Sequence, residues 1–174
     1  MRQTGFSFIE IMVVVTILGI VAAVAMPGLS TDFTKLDTAV TELSNAISFA
    51  RSEAIRTRTA QGIEADVVNN QLRVYSMPAS IPVYSVYHPI DKKLYTIDMK
   101  TSSQLSGVRL SNASFVFKGG FSSSSLLTFN ANGAPKYSSA GKDYMLTSAT
   151  ITVVYKNQQR TLSIAPMTGR VIIQ

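Results

Sequence analysis

Polar and apolar positions follow three different rhythms along this chain. From Phe6 to Met26 the 21 residues include only Ser7, Glu10 and Thr16 as polar members. At about 1.5 Å per residue, a helix of that length reaches roughly 31 Å, enough to cross a bilayer core. Pro27 then removes a helical hydrogen bond to Ala23, and Gly28 follows at once, so a helix break is expected there. Beyond it, Phe33, Leu36, Val40, Leu43, Ile47, Ala50 and Ala54 recur at spacings of three and four. That stripe predicts an amphipathic helix within residues 29–60 that lies against another layer. The run stops near Thr59 without further heptads, which favours packing on a sheet over a coiled coil.

From Gln61 the period changes to two. Leu72–Ser76, Ser114–Lys118, Leu127–Asn130, Ile151–Tyr155 and Thr161–Ile164 alternate and are rich in β-branched and aromatic residues. Lys156 to Arg160 is expected as a polar hairpin connection, Asn132-Gly133 as a tight turn and Asn69-Asn70 as a weaker one. The stretch from Met77 to Asp91, with Pro78, Pro82 and Pro89, is read as a wandering connection or edge strands. Gly119–Ser125 is read as a flexible loop. No helices separate the strands, so the fold class is α+β. A long N-terminal helix, half membrane stem and half amphipathic, packs on an antiparallel sheet or sandwich. The head spans residues 61–174.

Composition removes several chemistries. There is no cysteine and one histidine, His88, which excludes disulfides, thiolate nucleophiles and multi-histidine metal sites. Serines are abundant, but no G-x-S-x-G elbow is present. Asp66, Asp91 and Asp98 lack the spacing of a calcium loop. The expectation is no enzyme, no cofactor and no metal. The net charge of +6 is concentrated at the end of the chain. There Lys136, Lys142, Lys156, Arg160 and Arg170 face only Asp143. Arg51, Arg56 and Arg58 are read as a solvated helix end that suits the helix dipole.

Glu10 is the residue that the apolar run does not explain. A charge at membrane depth costs roughly 2.5–3.5 kcal/mol on insertion scales and is by default paired and functional. No cation lies near it within the helix. A secretory signal is the rival reading, with an apolar stretch of roughly 7–15 residues before small residues at a cleavage site. Ala22, Ala23 and Ala25 leave cleavage there open on composition alone.

The stretch Gly5-Phe6-Ser7-Phe8-Ile9-Glu10 and its apolar continuation resembles the class III signal of type IV pilins and type II secretion pseudopilins. The resemblance implies that a prepilin peptidase cuts after Gly5, removing residues 1–5 as a leader, and that Phe6 becomes N-methylated. It implies that Glu10 neutralises the N-terminal amine of a neighbouring subunit during assembly. Residues 6–28 would be the membrane and assembly helix, with Pro27 and Gly28 as its break. The protein would be single-pass in the bacterial inner membrane with its head in the periplasm, and would later enter a filament. Its partners would be other pilin or pseudopilin subunits through a bundle of N-terminal helices.

Leu43 to Ile55, containing Ala50-Arg51-Ser52-Glu53-Ala54, resembles a helix segment of the GspH/FimT subgroup of minor pilins and pseudopilins. Phe129, Asn132-Gly133 and Thr168-Gly169-Arg170-Val171 resemble the C-terminal arrangement of that group. The implied function is a minor structural subunit of a type II secretion pseudopilus or a type IV pilus. Two alternatives accompany it. One is a DNA-binding minor pilin of the FimT branch, which uses a Gly-Arg-x-Arg ending. Gly169 and Arg170 match that ending, but Ile172 stands where the second arginine would be, leaving Lys136, Lys142, Lys156 and Arg160 to compensate. The other is a major pilin, against which the missing cysteine pair counts.

Overall fold

The computed structural model describes residues 7–25, 31–78, 81–123, 125–139 and 142–174. The chain divides near Thr31 into an N-terminal helical unit and the unit Asp32–Gln174. The first contains α1 (Phe8–Ala25). The second begins with α2 (Thr31–Thr57) and continues into ten strands, so the amphipathic helix belongs with the strands in one compact unit.

The stripe read from the sequence is the buried face of α2. Leu36, Val40, Leu43, Ile47, Ala50 and Ala54 are fully enclosed, and Ala39 and Ala46 fill the positions between them. Small residues at 39, 46, 50 and 54 let the helix settle close to the sheet beneath it. Arg58 adopts a left-handed φ of 54° directly after the helix and ends it.

Every strand pairing is antiparallel. β1 (Gln61–Asp66) and β2 (Gln71–Ser76) form a hairpin, extended by β3 (Thr96–Asp98) and, on the other side, by β6 (Leu126–Phe129). β7 (Pro135–Ser139) follows β6 through the Asn132-Gly133 turn. β8 (Lys142–Tyr155) is the longest strand. It pairs with β7 over its first four residues, then with β4 (Arg109–Phe117), and with β9 (Gln158–Ile164) over its second half. β5 (Ser122–Ser123) lies beside β4, and β10 (Val171–Ile173) beside β9. The continuous path runs β10-β9-β8-β7-β6-β1-β2-β3.

Alternation sorts the side chains. Ile63, Ala65, Leu72, Val74, Leu127 and Phe129 are buried in one core with the apolar face of α2. On the opposite face, Tyr75 is buried across from Gly62, and its hydroxyl lies 2.6 Å from Thr128 Oγ1. A Cβ at Gly62 would collide with the Tyr75 ring and the Leu127 carbonyl, so this strand needs glycine for room rather than for a special φ. At the β1–β2 turn, Asn70 is left-handed (φ 59°) and buried. Its side chain donates to Val108 O at 2.9 Å and accepts from Leu110 N–H at 2.7 Å, tying the turn to the start of β4.

Two local expectations change. The Lys156–Arg160 connection shrinks to a two-residue turn, with Lys156 left-handed (φ 51°) and Gln158 to Arg160 already inside β9. The Gly119–Ser125 stretch is not wholly a loop. Ser122 and Ser123 pair with β4, and Ser123 Oγ accepts the N–H groups of Ser125 and Leu126 at 3.2 and 2.9 Å. The described residues of the Met77–Asp91 stretch lie outside the ten strands, as expected of a wandering connection, and are held by isolated bridges from Ser76 to Val83 and from Tyr87 to Leu94.

Candidate functional site

Three places carry residues singled out by the sequence. The first is α1. Its described side chains, Phe8 to Val21, are all exposed, with apolar residues all round the helix. Thr16 returns its hydroxyl to Met12 O at 2.7 Å, satisfying itself within the helix. Glu10 stands in the first turn, a favourable place for an anion beside the helix N-terminus. It has no ion pair among the described residues. Gly5, Phe6, Pro27 and Gly28 lie outside the described residues, as do both ends of the expected 6–28 span. Among the described residues no helix is long and apolar enough to cross a membrane.

The second place joins the three motifs of the head. Arg51 is half-buried rather than at a solvated helix end. Its Nε donates to Gly133 O at 3.3 Å. Gly133 (φ 77°) and Gly169 (φ 66°) are both left-handed. A Cβ at Gly133 would sit 2.7 Å from Ile55 Cδ1, and one at Gly169 would sit 2.9 Å from the Phe129 ring and 3.1 Å from Arg51 Cδ. The helix segment, the Asn-Gly turn and the Gly-Arg ending are therefore one joint, in which two backbone turns close over one arginine stem. Arg56 and Arg58 do remain exposed, with Arg56 paired to Glu53 at 2.7 Å. The sequence signal for Arg51 was its place beside Ala50 and Ala54 on the apolar stripe.

The third is the set of five C-terminal cations, which the fold does not gather. Lys142 opens β8 and Lys136 sits opposite Met145, whereas Arg160 sits opposite Val153 and Lys156 lies past the far end of the strand. Residues 142 and 156 are separated by roughly 46 Å of chain along β8, from the strand rise of about 3.3 Å per residue. Lys136 is paired with Asp143 at 2.8 Å and Arg160 with Asp37 at 3.5 Å. Together with a Ser138 hydrogen bond, Lys136 holds the Asp143 carboxyl below the usual carboxylate range. Arg170 is exposed in the turn before β10.

His88 lines an open cleft of about 420 Å³ with Glu42, Asn45, Asp91 and Tyr95. Its Nδ1 lies 3.2 Å from Asp91 Oδ1, and its ring meets Tyr95 edge-on at 4.6 Å. Burial pushes the Glu42 carboxyl up, with the nearby His88 opposing. Among the described residues no group of three His, Cys, Asp or Glu side chains is arranged to hold a metal.

An apolar helix with one glutamate in its first turn, followed by a stripe-bearing helix packed on an antiparallel sheet, defines a pilin-like subunit. Residues 1–26 match the prokaryotic N-terminal methylation motif, and residues 39–168 match the family described as type II transport protein GspH. The chain belongs to that family, whose members are structural pseudopilins of type II secretion and not enzymes.

Two solved structures of the minor pseudopilin EpsH from the type II secretion system of Vibrio cholerae share the fold. One has 13% identity and TM-score 0.55 over 81% of this chain and 96% of that one. The other has 17% identity and TM-score 0.53 over 80% and 96%. The type II secretion system core protein G of Vibrio cholerae serotype O1 is 39% identical over 70 residues. That match covers 37% of this chain and about half (48%) of the relative.

Proposed function

We propose that this chain is a minor subunit of a type II secretion pseudopilus that enters the filament through α1. It is held in the inner membrane by the apolar stem until assembly. A prepilin peptidase cuts after Gly5, and the Glu10 carboxylate meets the freed Phe6 amine of a neighbouring subunit. The observation that carries this reading is the lone acid of α1, set five residues after a glycine within a matched N-terminal methylation motif. In a bilayer such a charge needs a counter-charge, and among the described residues the chain supplies none in its own helix. Removing the leader creates one on each neighbour.

The test is a pair of variants in cells carrying the secretion machinery. Glu10→Val is expected to stay in the membrane fraction, be processed normally and be depleted at least about tenfold from sheared filaments, as befits loss of a desolvated charge pair. A Gly5→Val chain is expected to retain its first five residues by mass spectrometry. Normal filament entry of Glu10→Val, or leader removal from Gly5→Val, would refute the reading.

A further inference from the structure

The sheet path starts at β10, which pairs with β9 and with no other strand among the described residues. The ladder fixes which backbone groups face outward. Thr161 and Gln174 exchange both hydrogen bonds at 2.9 Å, and Ala165 N–H donates to Arg170 O at 2.9 Å. With Val171 opposite Ile164, Ile172 opposite Ser163 and Ile173 opposite Leu162, bonded and non-bonded pairs must alternate. Residues 170, 172 and 174 therefore turn their peptide groups toward β9. Val171 and Ile173 turn theirs to the open edge.

Natural edge strands are blunted by shortness, lysine, proline, a bulge or a cover, and β10 is short, at three residues. Val171-Ile172-Ile173 carries neither lysine nor proline. Ile172 is 48% and Ile173 50% exposed, on opposite faces of the strand, while Val171 packs against the core. Arg170, immediately before them, is exposed and has no ion pair among the described residues.

We propose that β10 is a docking edge that receives an extended segment of another protein, apolar in its middle and acidic where it passes Arg170. The outward N–H and C=O groups of Val171 and Ile173 ask for an extended backbone, and the two isoleucines ask for apolar side chains on both faces of it. Charge selects among occupants. The chain as a whole carries a net charge of +6, which repels a second copy and attracts an acidic segment, and Arg170 is exposed beside the strand. Ile172 stands where the resembled DNA-binding ending has its second arginine. At this position the chain presents a methyl-rich strand instead of a phosphate contact.

The test uses the full chain, isotope-labelled in detergent micelles, and a nine-residue peptide of alternating valine and threonine with aspartate at both ends. A peptide with lysine at both ends is the control. Amide exchange at Val171 and Ile173 is expected to slow by about tenfold or more with the acidic peptide and by at least about threefold less with the basic one. Ile173→Pro deletes an outward N–H at a half-exposed position but no ladder bond to β9, and is expected to abolish the slowing at Val171 at an unchanged melting temperature. Arg170→Glu leaves the strand itself untouched and is expected to invert the peptide preference. Absence of slowing at both amides, or persistence of slowing at Val171 in Ile173→Pro, overturns the docking edge. Equal response to both peptides overturns the acidic assignment. Slowing without peptide that grows with protein concentration assigns the edge to a second copy and overturns the proposed occupant.

Discussion

Glu42 sits on the rim of the α2 stripe, one residue before Leu43, where the helix turns from core to cleft. Burial raises its carboxyl above the range of an unfolded chain, about 4.3. A raised acid binds its proton more firmly in the folded state, so its contribution favours folding at low pH. That contribution is lost as pH rises from the unfolded value through the raised folded value, and above both the ionised group is a net burden. Facing groups from the 88–105 segment are Asp91 and Asp98, which add no positive charge, and Tyr95. Glu42→Gln is therefore expected to raise the melting temperature at pH 8 and leave it nearly unchanged at pH 4, measured by circular dichroism. An equal shift at both pH values would mean that packing, not ionisation, sets the effect.

At the scale of elements, the joint between α2 and the two glycine turns makes the sharpest demand. Alanine at Gly133 would have to hold φ 77° and displace Ile55, with Arg51 3.2 Å away on the other side. Gly133→Ala is expected to cost about 1–3 kcal/mol in urea unfolding. Asn132→Ala, one residue earlier and exposed, should cost much less. What was legible in the sequence follows the same logic of local versus distant constraint. The α2 stripe and the strands around Leu72–Ser76, Phe115 and Leu162 were readable because their burial pattern repeats within a few residues. β1 was missed because Gly62 and Ala65 weaken its β signature, and the need for Gly62 comes from Tyr75 on another strand. β7 opens on a proline, and the first half of β8 has no period-two pattern, because Tyr144-Met145-Leu146 sit between Lys142-Asp143 and Thr147-Ser148 and most of these positions are exposed. The Arg51 joint combines three motifs that were each legible. Their meeting was not, because it depends on how β7 and β10 return to the helix.

At the scale of the molecule, β8 is, among the described residues, the one strand paired into both halves of the sheet. It pairs with β7 through Lys142–Met145, with β4 through Leu146–Val154 and with β9 through Thr150–Tyr155. Ala149, Ile151 and Val153 along it are enclosed in the same core as α2. The two halves are therefore expected to melt together. Loss of ellipticity at 218 nm and the fluorescence change of buried Tyr75 are expected to trace one coincident transition in denaturant, at about 25 °C. Two separated midpoints would contradict that. Under the proposed function, this shared spine has a mechanical meaning. A load entering at Leu36 or Leu43 is handed through the common core to the whole sheet at once, so the head is built to be hauled intact rather than unravelled strand by strand.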